Sequence, residues 1–443
     1  IKDDSKRRDL FVFVRQTMCI AAMYPFGYYV NGSGVLAVLV RFCDLTYELF
    51  NYFVSVHIAG LYICTIYINY GQGDLDFFVN CLIQTIIYLW TIAMKLYFRR
   101  FRPGLLNTIL SNINDEYETR SAVGFSFVTV AGSYRMSKPM NKTKEMCSDV
   151  SYALWFGLLF ALPDGSVVFA WWYPFHSTQP GVYEVVFLLQ AMGQIQVAAS
   201  FASSSGLHMV LCVLISGQYD VLFCSLKNVL ASSYVLMGAN MAELQLQAEQ
   251  SAADAEPGQY AYSVEEETPL QELLKVGSSM DFSSAFRLSF VRCIQHHRYI
   301  VAALKKIESF YSPIWFVKIG EVTFLMCLVA FVSTKSTAAN SFMRMVHLGH
   351  YLLLLLYDLF NICYFSDIVF HNIQRCRESL WPSRWHRRLK DVRDDYMFFM
   401  LNSRRQFQLT AVKISNLNVH RFKRTINTVF SVLTLLQTKD ARE

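Results

Sequence analysis

The chain has 443 residues, 53% of them hydrophobic and only 17% charged, with a mean hydropathy of +0.27. Soluble domains carry about 25% charged residues, so this composition argues against a soluble enzyme. With 15% aromatic residues it also argues against a disordered or nucleic-acid-binding chain, despite a net charge of +6.

In chain order, the first segment, IKDDSKRRDLFVFVRQ, is charged and amphipathic, and no small-residue cleavage site closes the apolar stretch after it. Residues 1–35 therefore read as a cytoplasmic, re-entrant N-terminal segment rather than a signal peptide. Apolar blocks at 36–68, 77–98, 150–172 and 183–215 give four candidate spans within 36–239. Residues 240–283 are acidic and rich in Glu, Gln and Ala, and read as a cytoplasmic insert, partly disordered. Within 284–416, an amphipathic helix starting near Ser283 feeds a fifth span at 312–334, interrupted only by Pro313. A sixth span at 345–372 runs on into a basic segment, and a helix is expected over 391–416. The last span, 422–437, falls within a terminal unit of 417–443. Its apolar part, Thr425 to Gln437, would be a helix of roughly 20 Å, short against a hydrocarbon core of about 30 Å. The reading is an all-α polytopic membrane protein with seven transmembrane helices.

Positive charge orients the chain. The N-terminal segment carries Lys2, Lys6, Arg7, Arg8 and Arg15, and the KLYFRRFRP turn at 95–103 carries four more positives. Residues 375–405 hold nine Lys or Arg against four acids, whereas 145–226 contain none. The N-terminus is thus expected inside and the C-terminus outside. That is the inverse of a G-protein-coupled receptor, and D-R-Y and N-P-x-x-Y are also missing.

No G-x-S-x-G, G-x-x-x-x-G-K or H-E-x-x-H motif occurs, so neither catalysis nor a cofactor is indicated. The eleven cysteines lie mostly in apolar runs and read as small packed hydrophobes. His296 and His297 read as an interhelical contact rather than a metal site. Arg41 with Asp44, and Lys318 with Glu321, stand at i,i+3 and read as intramembrane pairs. Asp358 and Asn361 read as interhelical hydrogen-bonding groups.

Several stretches together are similar to the insect odorant receptors. Trp172-Tyr173-Pro174-Phe175, followed by Pro180 and Tyr183-Glu184, resembles the segment before that family's fourth span. Arg292 with Cys293-Ile294-Gln295-His296-His297 resembles its C-x-x-H-H opening of the fifth helix. Arg404-Arg405-Gln406, Leu409-Thr410-Ala411, Leu417-Asn418-Val419 and Ser431 to Gln437 follow its C-terminal order. The related gustatory receptors end in T-Y, five hydrophobics and Q-F, whereas Phe430-Ser431 and Gln437-Thr438 stand here. The resemblance implies an odorant-gated, non-selective cation channel in the plasma membrane. It also implies a homotetramer, or a heterotetramer with a co-receptor, with the last helix lining the pore and a cytoplasmic helical anchor joining subunits.

On the last helix Asn427, Phe430 or Ser431, Thr434 and Gln437 or Thr438 form a semi-polar stripe at three-to-four spacing. The resemblance puts Thr434 at the narrowest ring and Gln437 one turn outward. A pocket for a small apolar odorant should be aromatic and aliphatic with a few polar atoms. The family places it in the outer half of the membrane. By depth, the candidates are Ile83, Ile87, Gly157, Phe160, Ala198, Phe201, Ser205, His347, His350, Tyr351 and Leu354.

Overall fold

The computed structural model describes residues 11–29, 34–70, 75–119, 173, 179, 181–227, 229–238, 280–335, 342–378, 389–403 and 407–440. The candidate span at 150–172, the Trp172 and Pro174-Phe175 part of the first landmark, Arg404–Gln406 and nearly all of the acidic insert lie outside these residues.

The described chain is helical apart from one small hairpin. Helix α1 (Val12–Ile20) leads through a 3-10 turn (Phe26–Tyr29) to α2 (Val35–Ile68) and α3 (Leu75–Leu96). A π-helical turn (Tyr97–Phe101) then joins α3 to α4 (Pro103–Thr119). After these come α5 (Val182–Lys227), α6 (Val229–Leu236), α7 (Phe282–Lys335), α8 (Phe342–Glu378) and α9 (Leu389–Ser403). Strands β1 (Thr410–Ala411) and β2 (Ser415–Asn416) pair antiparallel before α10 (Val419–Asp440).

Helices α2, α3, α5, α7 and α8 are long and apolar enough to cross a bilayer, matching five of the seven expected spans. At 1.5 Å per residue, the 54 residues of α7 run for roughly 80 Å and the 46 of α5 for roughly 70 Å. Both greatly exceed a hydrocarbon core of about 30 Å, so they continue beyond it. Their continuations pack on α1, α4 and α9, and one contiguous core runs from Phe11 and Met18 through Phe98, Phe290 and Tyr311 to Phe399. His296 and His297 are buried beside this core and make interhelical contacts, as expected: His296 Nε2 lies 2.7 Å from Gln218 Oε1, and His297 packs edge-on to Phe399.

Among the described residues nothing covers the apolar face of α2. Val35, Leu36, Val38, Phe42 and Phe53 are each at least 60% exposed, as side chains facing lipid acyl chains should be. Its other face packs on α3 and α5. A Cβ at Gly193 of α5 would lie 2.2 Å from Ile58 Cδ1 and 3.0 Å from the Tyr88 hydroxyl. A larger residue there would have to displace the Ile58 side-chain end and crowd the Tyr88 hydroxyl, so glycine favours the close approach of the three helices. Among the described cysteines all thiols are free. Cys19, Cys81, Cys212, Cys293, Cys363 and Cys376 are buried, whereas Cys43 and Cys64 lie on the exposed side of α2.

Four expectations are corrected. The helix expected over 391–416 stops at Ser403, and a hairpin follows. Its turn places Val412 and Lys413 at φ 51° and 56°, with Ile414 N–H donating to Ala411 O at 3.0 Å. Ala411 pairs with Ser415, so the loop has three residues, Val412 to Ile414, with no Asn or Gly among them, and no turn signal marked it. The last helix is also longer than its apolar part: α10 has 22 residues, roughly 33 Å. Its first turns carry His420, Arg421, Lys423 and Arg424, which a hydropathy criterion rejects. Asn418 caps it, accepting from Arg421 N–H at 2.8 Å. Asp44 pairs with Arg99 at 2.7 Å rather than with Arg41. Finally Lys95, counted among the cytoplasmic positives, is completely buried.

Candidate ligand site and pore helix

Where α5, α7 and α8 meet at mid-length, an ion pair is embedded in aromatic rings. Lys318 Nζ lies 2.8 Å from Asp358 Oδ2, 3.6 Å from Glu321 Oε2 and 3.6 Å from the centroid of the Phe201 ring. Ser205 Oγ donates to the other Asp358 oxygen at 2.5 Å. The expected Lys318–Glu321 pair therefore exists, but Asp358 of α8 is the closer partner. Beside it stand His208, Tyr311 and Trp315. The His208 ring is edge-on to Trp315 at 5.1 Å, Tyr311 stacks on Trp315 at 5.4 Å, and Ser366 Oγ is 3.4 Å from His208 Nε2. A cavity of about 10 Å³ remains between Phe201, Ser205, His208, Trp315, Lys318 and Ile362. That is room for about one water molecule. The site is thus closed, aromatic-walled and furnished with a fixed charge pair.

The structure brings some of the expected ligand residues together here. Phe201 and Ser205 touch the ion pair directly, and Ala198 lies half-buried one turn earlier on the same face of α5. Ile83 is buried in a neighbouring apolar cluster with Val79, Leu325 and Val329, against which Ile87 and Leu355 pack. Leu354 is half-buried on α8. His347, His350 and Tyr351 lie in the early turns of α8 with their side chains outside the described set, and Gly157 and Phe160 lie outside the described residues altogether.

The sequence reading missed His208, Tyr311 and Trp315. His208 carried a signal, a lone imidazole in the 145–226 stretch free of Lys and Arg. Lys95 was missed as well. Its Nζ reaches Asn51 Oδ1 and Ser55 Oγ at 3.4 Å and Gln196 Oε1 at 3.3 Å, joining α2, α3 and α5.

The pore candidates sit on α10, which is anchored at its base. Phe422 packs edge-on to Phe360 of α8, and Thr425 and Val429 are buried. Above them Phe430 is 61% exposed, and Asn427, Ser431, Thr434 and Thr438 are exposed along one face. The hydroxyls of Ser431, Thr434 and Thr438 donate to carbonyls of their own helix at 2.9 Å, leaving their acceptor lone pairs turned outward. Gln437 lies on the same helix with its side chain outside the described set. An apolar cavity of about 990 Å³, walled by Phe316, Phe324, Cys327 and Val432 and containing Glu321, separates α10 from α7.

Below this cavity the hairpin ties the two helices together. Ser312 donates to Thr410 O at 2.9 Å and accepts from Val412 N–H at 2.7 Å, and Thr410 donates to Glu308. These contacts straddle the point where Pro313 interrupts the hydrogen-bond ladder of α7. The LTA and LNV stretches of the sequence are thus a strand and a helix cap that couple α7 to α10.

Five helices long and apolar enough to cross a bilayer, packed on a helical bundle against which the amphipathic last helix leans, define a polytopic membrane protein. The sequence model of the 7tm odorant receptors matches residues 135–430. Odorant receptor 83a of Drosophila melanogaster is 88% identical over all of this chain and 98% of its own length. The chain belongs to the insect odorant receptor family. Its fold matches the solved olfactory receptor OR5 of Machilis hrabei with a TM-score of 0.68 over 96% of each chain, at 13% identity. The structure of that receptor in complex with eugenol matches with a TM-score of 0.66.

Proposed function

We propose that the chain is a subunit of an odorant-gated, non-selective cation channel of the plasma membrane, with its N-terminus in the cytosol. Four subunits, identical or including a co-receptor, surround an axis onto which each projects α10. A small apolar odorant enters the outer half of the bundle near Ile83, Ile87, Phe201, Ser205 and Leu354. Gly157, Phe160, Ala198, His347, His350 and Tyr351 complete the candidate lining. The solved relative bound to eugenol supports a ligand of this kind.

The observation that carries the reading is the exposed polar stripe on α10, which begins beyond the basic first turns of that helix. Asn427, Ser431, Thr434 and Thr438 stand at i, i+4, i+7 and i+11, and the hydroxyls among them offer lone pairs rather than protons. Four such stripes facing an axis make an acceptor-lined path suited to cations, and the Phe430 rings on its edge form an apolar constriction that closes by dewetting. The ligand acts by moving α8 and α7, through the Asp358–Lys318 pair and the Ser312–hairpin contacts, so that the upper half of α10 swings toward its adjoining cavity.

Thr434→Lys tests this, because four copies would put a ring of positive charge in the path. Single-channel recording of the chain, alone and with a co-receptor, should show unitary cation conductance reduced about ten-fold or more. Unchanged unitary currents remove Thr434 from the pore.

A further inference from the structure

The pairing of Asp44 with Arg99 leaves a cation without a carboxylate. Arg99 binds Asp44 Oδ2 at 2.7 Å, Glu48 Oε2 at 2.9 Å and Tyr24 O at 3.2 Å, and Arg100 grips both Glu48 oxygens at 2.9 and 3.0 Å. Both acids are therefore engaged, by the two arginines of the π-helical turn and, at the other Asp44 oxygen, by the Phe26 N–H at 3.1 Å. Arg41 has no ion-pair partner among the described residues. It is exposed, and it lines a cavity of about 320 Å³ between α2, the π-helical turn, α4 and the Met23–Pro25 segment that follows α1.

Three arginines against two carboxylates leave that cavity one positive charge. Among the described residues the Arg41 guanidinium has no hydrogen-bond partner, and Arg100, with a side chain 55% exposed, keeps its Nη1 donors. Asn107 accepts from the Tyr24 hydroxyl at 2.9 Å, so its amide N–H groups remain to donate. A donor-rich cavity with one net positive charge suits a phosphodiester monoanion, which takes the fork bidentately. Its rim continues into the lipid-facing side of α2, where Val38, Phe42 and Leu45 are 62%, 69% and 45% exposed, and Phe101 is 72% exposed on the π-helical turn. A ligand held here has its charged end among arginines and its apolar end among acyl-facing side chains.

We propose that this cavity binds the phosphate headgroup of an anionic phospholipid, with Arg41 as the principal phosphate ligand and Arg100 and Asn107 as further donors. The lipid completes the charge cluster that straps α1 and its following turn to α2 and α3. The assignment to the cytosolic leaflet, where anionic lipids concentrate, rests on the inward N-terminus proposed above. The phosphate chemistry does not.

The test is a thermal-unfolding titration of the full-length protein in detergent with dioctanoyl phosphatidylglycerol, dioctanoyl phosphatidylcholine or inorganic phosphate. Phosphatidylglycerol should stabilise at a concentration about five- to ten-fold lower than phosphatidylcholine, the equivalent of about one arginine contact. Arg41→Gln should abolish that preference. Arg41→Lys should keep it at weaker affinity, and Arg298→Gln, on the exposed side of α7, should leave it unchanged. Should Arg41→Gln fail to fold, full retention of affinity in Arg41→Lys overturns the bidentate role. Equal stabilisation by the two lipids, or a preference that survives Arg41→Gln, overturns the site. Stabilisation by inorganic phosphate at the phosphatidylglycerol concentration overturns the lipid and makes this a free-anion site. None of these outcomes bears on channel activity, so the channel reading stands or falls separately.

Discussion

Two of the described lysines are buried within the helix bundle, and they are treated differently. Lys318 is met by Asp358 at 2.8 Å, Glu321 at 3.6 Å and the face of Phe201, across three helices. Lys95, with no exposed surface, is met by an asparagine, a serine and a glutamine. The first is a counter-charge arrangement, whose strength depends on every partner staying in place. The second is a polar cage in which amide and hydroxyl dipoles take the place of water. Ionisable groups inside a membrane protein tend to mark function. The contrast suggests which of these two does so: the site whose partners belong to different helices responds to helix movement, and the site held by neutral dipoles mainly fixes α2, α3 and α5 to one another.

The largest effect should come from removing the cation of the first site. Lys318→Met leaves the buried Glu321 and the part-buried Asp358 without their cation and should destabilise the protein by about 3–5 kcal/mol, the usual cost of breaking a buried pair from one side. Thermal unfolding in detergent measures it. Adding Asp358→Asn and Glu321→Gln to the same chain should recover most of the loss. A triple variant as unstable as the single one would mean that packing of the lysine stem, not charge, holds the site together.

A smaller loss is expected one contact away. Ser205→Ala deletes the hydroxyl that donates to Asp358 while the ion pair stays. A hydrogen bond to a charged group contributes about 1.5–3 kcal/mol, and in a membrane protein the lower end applies because the unfolded reference also finds partners. If Ser205 is also a ligand contact, as its depth on α5 suggests, concentration–response curves for polar odorants should shift more than those for hydrocarbons. A uniform shift across ligands would make Ser205 a support for Asp358 only.

The two lysines also show what was legible in the sequence. The spans were readable because hydropathy is a local sum, and five of them return as long apolar helices. Lys318 and Glu321 were readable as an i,i+3 pair, since helix geometry alone brings them close. Asp358 was not readable as the nearer partner, because a contact 40 residues away depends on how α7 and α8 are rotated. Lys95 sits at the end of an apolar run followed by Arg99, Arg100 and Arg102, and a hydropathy profile cannot tell a flanking lysine from one turned inward. The same limit explains Asp44. Arg41 and Arg99 are equal candidates by composition, and only the π-helical turn at Tyr97–Phe101, which re-aims Arg99 and Arg100 toward α2, decides between them. The hairpin was invisible for another reason: Val412 and Lys413 adopt left-handed backbone angles that β-branched and long side chains seldom take. It is held by contacts to Ser312 and Glu308 that lie about a hundred residues earlier in the chain.

The smallest effect should come from Lys95→Met, which separates the two arrangements most sharply. The substitution removes a buried charge without leaving an opposite charge behind, so the large penalty of the first site does not arise. Gln196 Oε1 can keep a donor, because the single Ser55 hydroxyl proton, placed between Asn51 O at 2.9 Å and Gln196 Oε1 at 3.3 Å, can turn to Gln196 while the α2 backbone ladder serves Asn51 O. Asn51 Nδ2 still donates to Tyr47 O at 2.9 Å, which leaves Asn51 Oδ1 as the one acceptor deprived of its partner. An unmet buried acceptor costs about 1–3 kcal/mol. The desolvation that the lysine no longer suffers, and the thioether chain that fills a similar volume, work against that cost. The net change in stability should fall within about 1 kcal/mol, with ligand-evoked currents retained. A loss as large as that of Lys318→Met would show that the neutral cage depends on the charge after all, and would place Lys95 beside Lys318 in the gating machinery.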